Sequence, residues 1–253
     1  MKTDQISSLH ASRPTPPAST RGMSLEITTR NDVPPTVAYE EIFITWLPTE
    51  GKEAIIAKTR ELHAKGLKPV PHLAAFKIKD AAEARAIAAA VALSTKKVFV
   101  IRGGGAQVGA FATVDELVAT GAFAGFEIGV GGFPDGNGPV SYEEGIAILR
   151  RKAAYASFVV TQWSLNEPAI ARFLNDSPLP VYLGVPNRCS LKQLARFAVV
   201  CGVENSIKGA LSNPVNLARF MLGFDPGYIV KAVEAHPRLA KIHVYAFGNL
   251  APL

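Results

Sequence analysis

The chain has few cysteines and no long apolar run, and both shortages exclude classes of protein. Its 253 residues include two cysteines, Cys189 and Cys201, without a CxxC pair, so we expect no metal site. No stretch of about 18 apolar residues occurs, so we expect no membrane span. The first 22 residues lack the apolar segment of a secretory signal. These absences together predict a cytoplasmic protein with reduced thiols.

Positive charge is in excess but is not concentrated. The net charge is +6, with no dense Lys/Arg stripe interleaved with aromatic residues, so we expect no nucleic acid partner. A mild positive field would help to recruit an anionic small molecule, or the excess has no bearing on ligands. Residues 1–22 are rich in Ser, Pro and Thr and predict a flexible tail, followed by one folded domain over residues 23–253.

Short β-rich runs alternate with helical patterns along this domain. The predicted strands are Ser24–Thr28, Ile42–Trp46, Pro69–Ala74, Val98–Arg102, Phe126–Val130, Phe158–Gln162, Val181–Gly184 and Ile242–Ala246. The clearest predicted helices are Lys52–Lys65, Asp80–Leu93, Tyr142–Tyr155 and Leu191–Val200. Predicted helix starts are the capping boxes Ser141 with Glu144 and Ser190 with Gln193, and the N-cap plus first-turn proline pairs Asn213-Pro214 and Asp225-Pro226. Eight such units favour an α/β fold of the (β/α)8 TIM-barrel type. An open doubly wound sheet is the alternative, and the lack of a GxGxxG motif followed by an acidic residue counts against it.

Polar residues at predicted strand ends define the candidate site, because ligands of such barrels bind at the C-terminal ends of the strands. Thr161-Gln162 ends the sixth strand, where an amide is placed to read a flat heterocycle, or is only a polar strand end. Glu26 lies in the first strand. A carboxylate in the barrel mouth would be desolvated, which would raise its pKa toward that of a general acid; a surface-facing Glu is the alternative.

Other strand ends supply weaker candidates. Thr45, near the end of the second strand, could hydrogen-bond a ligand or could simply favour a strand. His72 lies within the third strand, and an isolated His is more often a structural residue than a catalyst. The fourth strand runs into Arg102 and Gly103-Gly104-Gly105, a stretch that suits close backbone approach to a ligand or a flexible turn. A second polar loop follows the fifth strand over residues 133–137, and the next helix ends in Lys152, which is placed to meet an anionic cofactor or solvent.

The order of these motifs resembles the methylenetetrahydrofolate reductase family, flavin-dependent (β/α)8 barrels. The family shows a Glu on strand one, PHLT on strand three, LRGD on strand four, YPE after strand five, LKxK, TQ-aromatic on strand six and HFYTLN on strand eight. The matching segments here are Ser24-Leu-Glu26, Pro71-His72-Leu73-Ala74, Ile101-Arg102-Gly103-Gly104, Phe133-Pro134-Asp135, Leu149-Arg-Arg-Lys152, Thr161-Gln162-Trp163 and His243-Val-Tyr245. Each motif is weak alone, but the ordered set spans nearly the whole barrel.

The resemblance implies a role for each motif residue. Glu26 would be the general acid that protonates a folate nitrogen as the methylene ring opens, and Gln162 would hydrogen-bond the pterin, with Trp163 and Tyr245 beside the substrate. The residues at positions where the family holds FAD are Thr45, His72, Arg102, Gly103, Gly104, Phe133, Asn137 and Lys152. NAD(P)H would reduce the flavin, which passes hydride to the folate.

Departures from the family pattern bear on cofactor and direction. Gly104 stands where the family has an acid that favours the cationic intermediate, an electrostatic contribution that can be worth a few kcal/mol in a buried site. Ala74 replaces a Thr, and Phe247-Gly248-Asn249 replaces the end of the strand-eight motif.

Three functions therefore remain open from the sequence. They are a flavin-dependent reductase, a flavin-independent NAD(P)H–folate reductase, and a non-catalytic folate- or flavin-binding protein. The sequence leaves open the direction of the reaction, the nicotinamide preference and the oligomeric state, homo-oligomers included.

Overall fold

The computed structural model describes residues 22–138, 140–203, 224–251 and 253. The predicted tail, apart from Gly22, lies outside the described residues. A helix start predicted at Asn213-Pro214 lies outside them as well.

Eight parallel strands close into a barrel in sequence order, which confirms the predicted (β/α)8 architecture. The strands are β1 (Met23–Thr28), β2 (Glu41–Thr45), β3 (Pro69–Ala74), β4 (Lys97–Ile101), β5 (Glu127–Gly132), β6 (Phe158–Thr161), β7 (Val181–Pro186) and β8 (Leu239–Tyr245). Each predicted strand matches one of these with ends that differ by at most three residues. β3 has the predicted bounds, and β8 begins three residues earlier than predicted.

Helices follow β2 to β7, whereas residues 29–40 join β1 to β2 without a helix. The helices of the described ranges are α1 (Lys52–Ala64), α2 (Ala81–Ala92), α3 (Val114–Ala119), α4 (Tyr142–Lys152), α5 (Glu167–Asp176), α6 (Leu191–Cys201) and α7 (Gly227–Val233). Among the described residues, no helix combines the length and the hydropathy that crossing a membrane requires.

Side-chain caps fix several helix starts close to the barrel mouth. Ser190 and Gln193 form the predicted capping box at α6, and the Ser141 hydroxyl accepts the N–H of Glu144 at α4. Asn166 caps α5, where a proline occupies the first turn. Asp225 was predicted as the cap of α7, but the N-cap is the following residue, Pro226. The Asp225 carboxylate instead accepts the N–H of Gly227 within the preceding turn.

Two separate apolar clusters stabilise the barrel. The larger cluster lies between the strands and the surrounding helices, and alternate strand residues such as Leu25 and Ile27 contribute to it. The smaller cluster fills the interior of the barrel. It contains Phe43, Val70, Phe99, Phe158, Val160 and Tyr182. This plug of large side chains leaves the interior closed, so polar residues of the barrel interior collect above and below it.

The strand register brings the polar residues above the plug to one level. Glu26 on β1 is paired with Phe43 on β2 and with Tyr245 on β8, and Thr28 is paired with Thr45. His72 on β3 is paired with Phe99 on β4. Because side chains alternate along a strand, the residues two positions beyond the plug point to the C-terminal mouth.

Candidate active site

Glu26 is the centre of a polar cluster at the C-terminal end of the barrel. Its Oε1 accepts the Thr45 hydroxyl at 3.1 Å, and its Oε2 lies 3.2 Å from His243 Nε2. His72 Nε2 lies 3.5 Å from the same Oε2. The cluster therefore draws on four strands, β1, β2, β3 and β8. The side chain of Glu26 remains 17% exposed, so the carboxylate is held on several sides and still reaches solvent.

The pKa of Glu26 is lowered from its usual value, which contradicts the expectation that burial would raise it. Burial does raise this pKa, but the nearby His72 and the hydrogen bond from His243 outweigh it. The sequence indicated the desolvation but not the ring of donors around the carboxylate. In the free protein Glu26 is therefore a carboxylate at neutral pH, poised to accept a proton rather than to give one.

His72 was predicted as a cofactor-binding residue, and its ring faces Glu26. Its side chain is almost fully buried, its ring packs edge-on against Phe99 at 4.7 Å, and burial lowers its pKa to about 4. The ring is therefore neutral at pH 7. Its Nε2 is buried and makes no hydrogen bond to any described residue. This nitrogen is an unsatisfied polar atom directed at the catalytic candidate, which buried groups normally avoid.

The three predicted substrate residues lie around the end of β6, and Tyr245 is the one paired with Glu26. The Gln162 side chain bonds at both ends: its Nε2 donates to the Cys201 carbonyl at 3.3 Å, and its Oε1 accepts the N–H of Trp163 at 3.1 Å. The Tyr245 hydroxyl donates to the Thr161 carbonyl at 3.0 Å. Trp163 is fully buried, so it supports the wall of the mouth from behind.

An aromatic wall beside these residues was not predicted from the sequence. Phe247 stacks on Phe197 of α6 with 3.9 Å between ring centroids and 4° between planes, and it meets Trp163 edge-on. Phe247 has φ 47°, the one positive φ at a non-glycine among the described residues. Gly248 follows with φ 88°, and Asn249 N–H bonds to Ala246 O, so a tight turn directs the Phe247 ring onto α6. Sequence patterns gave no sign of this wall, because its rings come from distant segments.

Four of the predicted cofactor residues line one cavity of about 290 Å³. Arg102, Phe133, Asn137 and Lys152 surround it at the ends of β4 and β5 and along α4. Arg151 adds a third cation, and apolar side chains form most of the remaining lining. Lys152 is largely enclosed, and its burial lowers its pKa. The lining of this cavity includes none of Glu26, Thr45 and His72. The predicted cofactor residues Thr45 and His72 therefore lie in the cluster around Glu26, apart from those that line the cavity.

The glycine loop after β4 lies open to solvent. Gly103 has φ 92°, and a side chain there would come within 3.1 Å of Ala74 Cβ, so this position suits glycine. Gly104, which stands in place of the family acid, is exposed, and a Cβ there would meet nothing within 4 Å. There is therefore room for a side chain where the family has a carboxylate.

Two further residues of the cluster, His243 and Ser24, had no role predicted from the sequence. His243 and Ser24 are fully buried beneath Glu26, and the Ser24 hydroxyl lies 2.9 Å from His243 Nδ1. Period-two spacing places Ser24 on the same face as Glu26, which was the available signal. Across the described ranges, no group of three or more His, Cys, Asp or Glu side chains is arranged to hold a metal ion.

Comparison with known proteins supports the fold. No family model matches the chain. A solved structure of a Clostridium thermocellum protein that binds two copies of 5-methyl-5,6,7,8-tetrahydrofolic acid is similar, with a TM-score of 0.60 and 13% identity. The match covers 88% of this chain and 87% of that one. At this identity it shows a shared fold.

Two enzymes are more distantly similar. Oxaloacetate acetylhydrolase bound to oxalate has a TM-score of 0.49 and 12% identity, over 84% of this chain and 87% of that chain. Dihydrodipicolinate synthase has a TM-score of 0.44 and 12% identity, over 87% of this chain and 90% of that chain. The match to the Clostridium thermocellum protein thus shows that the chain shares its barrel fold with a folate-binding protein.

Proposed function

We propose that the chain is a methylenetetrahydrofolate reductase-like oxidoreductase that interconverts 5,10-methylenetetrahydrofolate and 5-methyltetrahydrofolate. The observation that carries the proposal is the convergence of Glu26, Thr45, His72 and His243 at one point of the barrel mouth. A carboxylate at this position is suited to acid/base chemistry, because barrel enzymes bind substrates at this end. The ordered motifs and the folate-binding structural neighbour support the same class of ligand.

Glu26 would move the proton of this reaction. In the reductive direction, hydride adds to the methylene carbon, the bond from that carbon to a ring nitrogen breaks, and Glu26 supplies the proton to that nitrogen. In the oxidative direction, the carboxylate takes that proton as the ring closes. Because the pKa of Glu26 is lowered, the free protein is ready for the oxidative direction, whereas the reductive direction requires the carboxylate to be protonated first.

The neighbouring residues would bind and orient the folate. The wall formed by Phe197, Phe247 and Tyr245 offers aromatic surface beside Glu26. Flat heterocycles bind to such surfaces by stacking, and a few polar groups fix their orientation. Gln162 precedes Trp163, whose ring meets Phe247 edge-on. The side chain of Gln162 would exchange the bond to the Cys201 carbonyl for a bond to the pterin.

We assign the phosphate-bearing half of FAD to the cavity beside α4. Arg102, Arg151 and Lys152 supply three cations against one acid, Asp115, and the apolar lining suits an adenine ring. The volume, about 290 Å³, is at the lower end of the usual range of ligand pockets, roughly 300–1,000 Å³. FAD, when bound, would supply the hydride and would be reduced by NAD(P)H. The residues of this chain would hold the phosphates and exclude water.

Two alternatives rest on particular observations. The exposed Gly104 and the absence of the family carboxylate favour a flavin-independent enzyme that passes hydride directly from NAD(P)H to folate. The same absence favours a non-catalytic folate- or flavin-binding protein, although the ordered cluster around Glu26 supports catalysis.

A visible absorption spectrum, combined with turnover, separates these three functions. The purified protein is mixed with FAD, the excess is removed, and spectra are recorded before and after 5-methyltetrahydrofolate is added. Turnover is then measured with 5-methyltetrahydrofolate and an electron acceptor, and with 5,10-methylenetetrahydrofolate and NAD(P)H. We expect a bound-flavin spectrum that bleaches with the folate. A colourless protein that turns over with NAD(P)H would establish the flavin-independent enzyme. Folate binding without turnover under either condition would contradict the proposed enzyme.

A further inference from the structure

We propose that Ser24 is a positioning residue that fixes the tautomer of His243, so that His243 donates a hydrogen bond to Glu26 and keeps it a carboxylate. The effect on catalysis rests on the proposed function. The effect on the histidine does not.

The geometry is a buried chain of three side chains. Ser24 Oγ lies 2.9 Å from His243 Nδ1, and His243 Nε2 lies 3.2 Å from Glu26 Oε2. Ser24 and His243 are fully buried, so water does not compete for either ring nitrogen. The His243 ring also packs edge-on against Phe43, with 4.6 Å between centroids, and against Tyr245 at 5.1 Å. These contacts prevent the ring from turning away from the carboxylate.

The hydrogen-bonding capacity of each group assigns the proton. An ionised carboxylate only accepts, so Nε2 of His243 carries the hydrogen. In the neutral ring Nδ1 is then the acceptor, and a serine hydroxyl is suited to donate to it. Thr45 donates to the other oxygen of Glu26, so both oxygens receive donors. A protonated Glu26 would lose part of this arrangement.

Other ionisable groups also face Glu26. His72 lies 3.5 Å from Oε2, and burial lowers its pKa to about 4, so it adds no positive charge at neutral pH. Burial raises the pKa of Tyr245 and of Cys201, and the charge of Glu26 raises both further. Both groups are therefore neutral at pH 7. The donors that act on Glu26 at pH 7 are thus Thr45 and His243, whereas His72 lowers the pKa of Glu26 through its charge only where its own ring is protonated.

Removing the Ser24 hydroxyl would weaken the preference of the His243 ring for hydrogen on Nε2. Nδ1 would be left buried without a donor, a costly state, and the tautomer with hydrogen on Nδ1 would become competitive. Its bare Nε2 would then face Glu26 and favour a protonated carboxyl that donates to it. Ser24→Ala should therefore raise the pKa of Glu26.

The test compares ¹⁵N–¹H spectra of the histidine rings in the unmodified protein, Ser24→Ala and Ser177→Ala. Ser177 is a buried serine whose hydroxyl donates to the Leu179 carbonyl, so it controls for loss of a buried hydroxyl. We expect hydrogen on Nε2 of His243 in the unmodified protein and in the control, and a shift toward Nδ1 in Ser24→Ala. Hydrogen on Nδ1, or on both nitrogens, in the unmodified protein at pH 7 would overturn the proposal whether or not the variant folds.

The catalytic consequence is read from the pH profile of 5-methyltetrahydrofolate oxidation. Its acidic limb should move to higher pH by about one unit in Ser24→Ala, a typical size for an environmental pKa shift, and should not move in the control. A changed tautomer with an unmoved acidic limb would overturn the positioning role. If the unmodified protein turns over no folate, the proposed function fails, and the ring spectra still decide the assignment of Ser24.

Discussion

At the scale of single residues, the cluster around Glu26 combines groups whose proton affinities are shifted by their surroundings. Burial lowers the pKa of His72 to about 4, whereas the donors around Glu26 lower its pKa despite burial. Such combinations of buried ionisable groups are characteristic of functional sites. They also link the stability of the fold to pH.

The stability of the protein should fall as the pH drops from about 6.5 to about 4. Over this window His72 is protonated in the unfolded chain but not in the folded chain. Proton binding therefore stabilises the unfolded state and lowers the free energy of unfolding. Between pH 7 and pH 5 this effect amounts to about 2 kcal/mol. The contribution of Glu26 is present above its unfolded pKa and is lost at still lower pH, as the pH falls through the lowered folded value.

Urea unfolding at pH 7 and pH 5 measures this effect. The free energy of unfolding should differ between pH 7 and pH 5, and in His72→Gln this difference should shrink by most of the ~2 kcal/mol. It should persist in His63→Gln, which alters an exposed histidine of α1. An undiminished difference in His72→Gln would show that His72 is not the buried neutral ring described above.

At the scale of strands and helices, close packing under the mouth depends on small residues. A Cβ on Gly184 of β7 would lie 2.3 Å from the Thr161 carbonyl, 2.8 Å from the Tyr245 ring and 3.1 Å from the Trp163 amide nitrogen. Two of these atoms are backbone and cannot move aside cheaply. Gly145 in α4 is the opposite case, because a Cβ there would meet nothing within 4 Å.

Alanine at these two glycines should change stability in opposite directions. Gly184→Ala should destabilise the protein by about 1–3 kcal/mol through overpacking, and should displace β6 and Tyr245. Gly145→Ala should stabilise it by about 0.5–1 kcal/mol, the usual gain in a helix interior. Chemical denaturation measures both changes. A stable Gly184→Ala protein would contradict the packing under the mouth.

The strands and helices could be predicted from the sequence more fully than the contacts between them. Strand period, Ala-rich helices and capping residues such as Ser190 were sufficient for the order of elements and for most of their bounds. Glu26 and His72 were found as polar residues within predicted strands, and Gln162 because it ends a predicted strand. Phe197 and the turn at Phe247 were missed, because their meeting depends on how α6 crosses toward β8, which no local pattern encodes.

At the scale of the whole molecule, the aromatic plug separates the polar cluster around Glu26 from an ion cluster at the opposite end of the barrel. At the N-terminal mouth, Lys97 Nζ bonds to Glu41 at 2.7 Å, to Glu127 at 2.9 Å and to the Tyr182 hydroxyl at 3.2 Å. Burial lowers the pKa of Lys97, but these hydrogen bonds outweigh it and the pKa lies above its usual value. This ion cluster lies on the far side of the aromatic plug from Glu26.

Replacing Lys97 should cost stability and leave the chemistry intact. Lys97→Met leaves the buried Glu41 with Lys241, at 3.4 Å, as its remaining cation. The cost should therefore be about 3 kcal/mol, the lower end of the range for breaking a buried pair. Glu143→Gln, which breaks an exposed pair with Arg172, should cost at most about 1 kcal/mol. Thermal unfolding and folate turnover below the melting temperature measure the two effects. Loss of turnover in folded Lys97→Met would contradict the separation of the two ends.

The most direct test of the account is the rate of 5-methyltetrahydrofolate oxidation by the unmodified protein, Glu26→Gln and Glu144→Gln. Glutamine preserves the shape of Glu26 but cannot take the proton, and Glu144 is an exposed residue of α4 that serves as the matched control. We predict that Glu26→Gln lowers the rate by about 10²–10⁴-fold, the usual contribution of a general acid or base, while still binding the folate. We predict an unchanged rate for Glu144→Gln. An unchanged rate in Glu26→Gln would contradict the central claim that this carboxylate moves the proton.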